Sequence, residues 1–248
     1  MIEPSHYQAT PGLLAHRVIL VTGASRGIGR VAALTFAAFG ATVVLHGRDV
    51  AALESLYDEI LARGGPQPAA MPLDLSVATT RDFDSMAGAI ESSLGRLDGI
   101  LHNAATVEKL SALEQQSAEE WQHMLRVNLV APFAITQSCS RLLRAAPDAS
   151  VVLTLESHGQ DPAAYWGGYS VSKAALTTLL KIQAQEWAGQ PQLRINAIVP
   201  GPVASPSRAR THPGEVAALQ RQPESLMPAY LLLMGPDSRE IRGTVISA

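Results

Sequence analysis

The sequence predicts an α/β fold: a single domain over residues 1–248, with a doubly wound parallel sheet of about seven strands and helices on both faces. Three observations predict it. Short apolar runs alternate with helix-like stretches along the whole chain, and repeated strand, helix, strand units close into parallel sheets through right-handed crossovers. The first of these units breaks at a glycine-rich turn. No Ser/Gly-rich or charged linker divides the chain, and its length suits one large α/β domain with a sizeable core.

Val18 to Val21 is a continuous aliphatic run, the pattern of a strand covered on both faces. Gly23, Gly27 and Gly29 then punctuate Thr22-Gly-Ala-Ser-Arg-Gly-Ile-Gly29, where side chains would collide with a ligand. Val31, Leu34, Phe36 and Phe39 follow at roughly helical spacing. They give a helix over about 27–39 whose first N–H groups point at whatever anion occupies the turn. The spacing differs from the G-x-G-x-x-G of the standard dinucleotide fingerprint, although glycine serves the same physical ends.

Next come a strand at Thr42 to Leu45, a helix over about 50–63, a strand at Ala69 to Leu73, a helix over about 78–94 and a strand at Gly99 to Leu101. A long helical tract runs from Ala118 to about Ala146 and takes Pro132 as a kink or a break. Val151 to Leu155, a helix over about 167–187, Ile195 to Val199, a Pro-rich segment and Gly243 to Ile246 complete the order. Sheets of this kind bind ligands at the carboxyl ends of their strands, which places Thr22, His46, Asp74, Asn103, Glu156 and Pro200 on one edge.

A net charge of −3 and a pI near 6.2 give no reason to expect nucleic acid or an anionic membrane as partner, so a small-molecule ligand is expected. Cys139 is the only cysteine; it rules out an internal disulfide and fits a reducing, cytoplasmic setting, as a buried structural thiol. Residues 1–16 contain Glu3, His6 and His16 and lack the apolar core of a signal peptide. No run approaches a membrane span. The seven histidines show no ligand-like pairing, so no protein-built metal site is expected.

The second strand bears on the choice of cofactor. An acidic residue at its end binds the adenosine ribose hydroxyls, whereas a basic one accommodates a 2′-phosphate. Here Val43-Val-Leu-His-Gly-Arg48 puts Gly47 where a carboxylate would stand, with Arg48 next, and Arg26 adds a second guanidinium at the same corner. NADP(H) is therefore favoured over NAD(H), which Asp49 keeps open. Asp74 is placed to meet an adenine amino group, or else serves as a helix N-terminal acid.

Tyr169-Ser-Val-Ser-Lys173 sets a phenol and an ammonium on one helical face at i, i+4. A neighbouring cation stabilises phenolate, which suits Tyr169 to general acid/base work. Five tyrosines and only three lysines make a chance Tyr-x-x-x-Lys rare, at about 0.06 occurrences. The plainer reading is a surface pair on a helix.

Together, Thr22-Gly-Ala-Ser-Arg-Gly-Ile-Gly29, Leu101-His-Asn-Ala-Ala105, Asn128-Leu129, Tyr169-x-x-x-Lys173 and Pro200-Gly201 resemble the compact branch of the short-chain dehydrogenase/reductases, over nearly the whole chain and in that family's order. His6-Tyr-Gln8, residues 97–103 and residues 227–239 further resemble the bacterial YciK-like oxidoreductases. The resemblance implies a Rossmann fold with cofactor contacts from Gly23, Ser25, Arg26, Gly27, Ile28 and Gly29. Arg48, Asp74, Leu75, Asn103, Ala104, Lys173, Pro200, Gly201 and Val203 would supply the rest. It implies Tyr169 as proton donor or acceptor, Lys173 on the nicotinamide ribose, Asn128 positioning Lys173 and a water, and Ser157 as a candidate for the polarising serine. A homodimer or tetramer and a substrate lid over about 202–230 are also expected.

Three departures accompany the resemblance. Ala105 stands for a glycine that lets the cofactor approach. The serine position thirteen residues before the tyrosine falls on Glu156, with Ser157 one residue late; along a strand, one residue reverses side-chain direction. Losing a positioned donor typically costs about 10²–10³-fold, so Thr154 or Ser157 takes over the polarising role, or Glu156 alters or weakens the chemistry. The chain also ends at Ala248, just after its last strand. Two functions follow: an NADP(H)-dependent oxidoreductase exchanging hydride with a carbonyl or alcohol, or a nucleotide-binding protein of this fold with weak or lost catalysis.

Overall fold

The computed structural model describes residues 4–248; residues 1–3, and with them the Glu3 weighed against a leader, lie outside the described residues. Strands β1 (Val18–Thr22), β2 (Thr42–Gly47), β3 (Ala69–Pro72), β4 (Gly99–His102), β5 (Ala149–Thr154), β6 (Leu193–Val199) and β7 (Val245–Ser247) form one sheet in the order β3-β2-β1-β4-β5-β6-β7. Every pairing is parallel. Val21 lies between Leu45 and Leu101, so the chain winds outward in both directions from β1 and β4 and opens a crevice at their carboxyl ends.

The continuous apolar character of β1 reflects a core on each side. Val18 and Leu20 pack with Phe83 and Ile90 of α3 (Thr80–Leu94), Ile135 of α5 (Ala131–Ser138) and Leu176 of α7 (Gly167–Glu186). Ile19 and Val21 face the other layer, made by Ala33 and Phe36 of α1 (Gly27–Ala38), Leu53 and Leu56 of α2 (Val50–Ala62) and Tyr230 to Met234 of α9 (Met227–Met234). No described helix is long and apolar enough to cross a membrane.

Two stretches differ from the sequence expectation. The tract from Ala118 is not one helix: α4 (Ala118–Leu125) runs into a π-helical turn at Arg126–Val130, then α5, then α6 (Ser140–Ala145) after a break at Cys139. Pro132 sits in the first turn of α5, where its missing N–H costs least, and the distortion falls on the turn before it. The segment expected as a lid is exposed only in part. Pro223, Leu226, Met227, Ala229 and Tyr230 are buried core, and α9 is apolar on every face, so it shows no amphipathic period to read. The remaining segment carries the short α8 (Pro206–Thr211) and lies over the cleft.

The amino ends of the strands are tied by a buried ion cluster. Asp148 accepts from Arg17 Nη1 at 2.7 Å and from Arg194 Nη1. Arg194 also donates to Ser238 Oγ at 2.9 Å and to the Gly235 carbonyl at 2.8 Å, which anchors the turn after α9.

Candidate active site

At the carboxyl edge the glycine turn connects β1 to α1. Gly23 and Gly27 take φ of +68° and +56°, a conformation open to glycine at no steric cost. A Cβ on Gly29 would overlap the Gly23 carbonyl oxygen and approach Asn103 Nδ2 to 2.6 Å, so the third glycine allows α1 to pack against the turn. Thr22 Oγ1 accepts the N–H groups of Asn103 at 3.0 Å and Ala104 at 3.1 Å, stitching the loop after β4 to β1. Asn103 Nδ2 reaches the Gly23 carbonyl at 3.5 Å.

One cleft runs from this turn in both directions. Gly23, Ser25, Arg26, Gly27 and Ile28 line its floor beside Asn103, Ala104 and Ala105. Ala105 is not among the described residues with positive φ, so it occupies the family's glycine position without backbone strain. On the β2 and β3 side, Arg48, Asp74 and Leu75 line the wall. Arg26 is exposed, and Arg48 approaches Asp74 only to 3.9 Å. Burial pushes the Asp74 carboxyl up, but donation from the Ser76 N–H and hydroxyl and the nearby Arg48 outweigh it and hold it below the ordinary carboxylate range. Asp49 is spent differently: its Oδ1 accepts from Ala52 N at 3.0 Å and caps α2.

On the β5 and β6 side, Thr154, Glu156, Tyr169, Lys173, Pro200, Gly201 and Val203 line the same cleft. Lys173 is buried in the middle of α7 with Nζ 5.8 Å from the centre of the Tyr169 ring, and it donates to the Thr154 carbonyl at 2.8 Å. Burial lowers Lys173 to about 8, the Glu156 carboxylate opposing that shift. Tyr169 moves opposite to the sequence expectation of a lowered pKa: burial, aided by Glu156, pushes its phenol above the ordinary tyrosine value. Desolvation of a would-be phenolate exceeds the help from an ammonium that is itself desolvated.

Gly29, Asn128 and Ser157 do not line the cleft. Asn128 sits in the π-helical turn and clamps the backbone of Thr106, accepting its N–H at 2.8 Å and donating to its carbonyl at 2.9 Å. It also donates to Ser172 Oγ at 3.0 Å, so its side chain meets the neighbour of Lys173 in sequence. Ser157 is exposed. β5 ends at Thr154, Glu156 remains extended, and a 3₁₀ turn at Ser157–Gly159 carries Ser157 away, its hydroxyl donating to Glu156 Oε1 at 2.9 Å. Thr154 Oγ1 lies 3.1 Å from the Tyr230 hydroxyl.

Trp166, in the cleft wall, escaped sequence reasoning. Trp166 lies one helical turn before Tyr169, a spacing that would have found it, and stacks on His158 with ring centres 3.8 Å apart. Ser205 to Arg208 and Thr211 bring α8 over the glycine turn. His46 is buried with neither ring nitrogen bonded to protein, and burial lowers it to about 4.

Comparison with known proteins places this arrangement. The sequence profile of the family described as short chain dehydrogenase matches residues 17–215. The Escherichia coli (strain K12) protein called uncharacterized oxidoreductase YciK is 40% identical over 98% of this chain and 96% of its own. A cyclohexanol dehydrogenase of Acinetobacter sp. (strain SE19) is 30% identical over 92% of each chain. Among solved structures, a Shigella flexneri 2a protein described as a short chain dehydrogenase complexed with NADP is similar with a TM-score of 0.93 and 38% identity, over 96% of this chain and 99% of that one.

Proposed function

This chain belongs to the short-chain dehydrogenase family, and on that footing we propose that it is an NADP(H)-dependent oxidoreductase that moves hydride between nicotinamide and a carbonyl or alcohol carbon. The observation that carries the reading is the presence of Tyr169 and Lys173 in the same cleft as the glycine turn. The donor set fits a 2′-phosphorylated dinucleotide. Arg26 is exposed at the adenosine corner, Arg48 has only a loose approach to Asp74, and Asp49, the acidic residue that would favour NAD, is occupied as a helix cap. The Shigella flexneri relative complexed with NADP and an Escherichia coli relative complexed with NADPH support the same choice.

Bound there, the dinucleotide supplies hydride from its nicotinamide ring. Tyr169 gives a proton to the carbonyl oxygen in reduction and takes it from the alcohol in oxidation. The Lys173 ammonium carries three donors; one is on Thr154, which leaves two for ribose hydroxyls and the phenol oxygen. Asn128 fixes the strap at Thr106 that forms part of the cleft wall, and through Ser172 steadies the turn of α7 that carries Lys173. Residues 204–222 serve as the substrate lid. Val130 of the π-helical turn, Phe133 of α5, and Val171 and Ile182 of α7 are exposed apolar residues suited to a homodimer or tetramer, which light scattering tests; a monomer would contradict it.

The test is fluorescence titration with NADPH and NADH, followed by a panel of ketones, quinones and alcohols. Tighter NADPH binding with turnover on one of these supports the reading. Tight binding without turnover on any substrate favours a second reading, a nucleotide-binding protein with weak or lost catalysis. Glu156 in the cleft wall, at the position where the family resemblance leads one to expect serine, is the observation behind that second reading.

A further inference from the structure

Glu156 brings a negative charge into the reacting end of the cleft, beside Tyr169 and Lys173, and its field acts on both. Its carboxylate is a built feature. Oε1 accepts from Ser157 Oγ at 2.9 Å, Oε2 accepts from His158 N at 2.7 Å, and His158 Nδ1 lies 3.0 Å and 2.9 Å from the two oxygens. His158 is itself fixed by stacking on Trp166. Three donors fill three of about four acceptor sites, so room remains for one more donor from the cleft.

An ionised carboxylate accepts hydrogen bonds and cannot donate one. A ketone gathers negative charge on oxygen as hydride adds, and an anion nearby opposes that. A protonated imine has the opposite pattern: it enters with positive charge and an N–H donor at the atom where a ketone has oxygen. We propose that Glu156 adapts this site to a cationic electrophile, so that the protein reduces a protonated imine in preference to a ketone. The proposal rests on the hydride-transfer reading above and names its substrate class.

The step balances with NADPH as reductant. Hydride adds to the imine carbon, the C=N π pair moves onto nitrogen, and a neutral secondary amine forms alongside NADP⁺. The nitrogen already holds its proton, so Tyr169 need not supply one, in keeping with a phenol held protonated by burial. Glu156 stabilises charge that is present on binding and still largely present at the transition state, so its effect falls mainly on KM. Lys173 keeps one of its donors on the Thr154 carbonyl, and Val107 and Trp166 give this end an apolar wall suited to a small ring.

The experiment compares 2-methyl-1-pyrroline with cyclopentanone as substrates of the full chain with NADPH, and measures calorimetric binding of pyrrolidinium against cyclopentanol with NADP⁺ present. Wild type is expected to prefer the imine in kcat/KM by about tenfold or more. Glu156→Gln, which keeps the shape and an acceptor for the 3₁₀ turn, should raise KM for the imine and weaken pyrrolidinium binding by about the same factor. Glu156→Ser should turn the preference toward the ketone. Tyr169→Phe should cost the ketone more than the imine. Preference for cyclopentanone in wild type, or pyrrolidinium binding unchanged in Glu156→Gln, overturns the proposal. Glu156-dependent pyrrolidinium binding with no turnover of either substrate upholds the cation site and overturns the hydride-transfer reading instead.

Discussion

Replacing Arg48 by alanine is expected to separate the two cofactors by a calculable amount. The Arg48 side chain is 60% exposed and its approach to Asp74, 40% exposed, is 3.9 Å, so the guanidinium is available to a 2′-phosphate without breaking a tight ion pair. A charge-assisted hydrogen bond contributes about 1.5–3 kcal/mol. Exposure discounts it toward the lower end, to about 1–2 kcal/mol, or roughly 5–30-fold in Kd. Loss of Arg48 also uncovers the Asp74 carboxylate, which repels the phosphate and acts in the same direction. NADH has no 2′-phosphate, so its affinity should change by less than about twofold. Fluorescence titration of both cofactors at fixed ionic strength gives the answer. Equal losses for NADPH and NADH would refute the assignment of this corner to phosphate, as would a wild-type preference for NADPH that added salt leaves untouched.

Other consequences follow from the same geometry. Lys173, lowered to about 8 by burial, is cationic below that pH and neutral above it, so kcat/KM should fall as pH rises through about 8. Glu156→Gln removes the charge that opposes the lowering and should move that limb to lower pH; a profile flat to pH 10 would contradict it. Asp148→Ala leaves Arg17 and Arg194 buried without their carboxylate and should cost about 3–5 kcal/mol in urea unfolding. A loss under about 1 kcal/mol would mean that the cluster is relaxed by water. Gly29→Ala drives a methyl into the Gly23 carbonyl and should abolish NADPH binding while costing at least about 1–3 kcal/mol. Gly88→Ala in α3, where a Cβ meets nothing, should stabilise by about 0.5–1 kcal/mol, and the pair read in one thermal assay checks the packing.

The parallel sheet was legible in the sequence because both of its faces are covered: Val18 to Val21 divide between two cores, and the result is an apolar run with no polar alternation. The carboxyl-end edge followed from chain order alone. That is why Asp74, Asn103, Glu156 and Pro200 were found together before any contact was known. What stayed hidden depended on tertiary context. α9 reads as a short apolar run because it is buried on every side, and the π-helical turn at Asn128 has no sequence signature beside the more conspicuous Pro132. Asn128 was expected to position Lys173, and the side chains and backbone it bonds are those of Thr106 and of Ser172, the neighbour of Lys173, which lie 22 and 44 residues away. Ser157 illustrates the limit of register reasoning: reversal of side-chain direction was foreseen, whereas the turn that removes it from the cleft altogether depends on Glu156 folding back onto His158. The direction of the Tyr169 shift required knowledge of burial, which the i, i+4 spacing does not contain.

The most direct measurement of hydride transfer with Tyr169 as its acid is ketone reduction by Tyr169→Phe, read beside NADPH affinity. The arrangement of Tyr169 and Lys173 predicts NADPH binding within about twofold of wild type and turnover lower by about 10²–10⁴-fold. Unchanged turnover, with NADPH still bound, would contradict it.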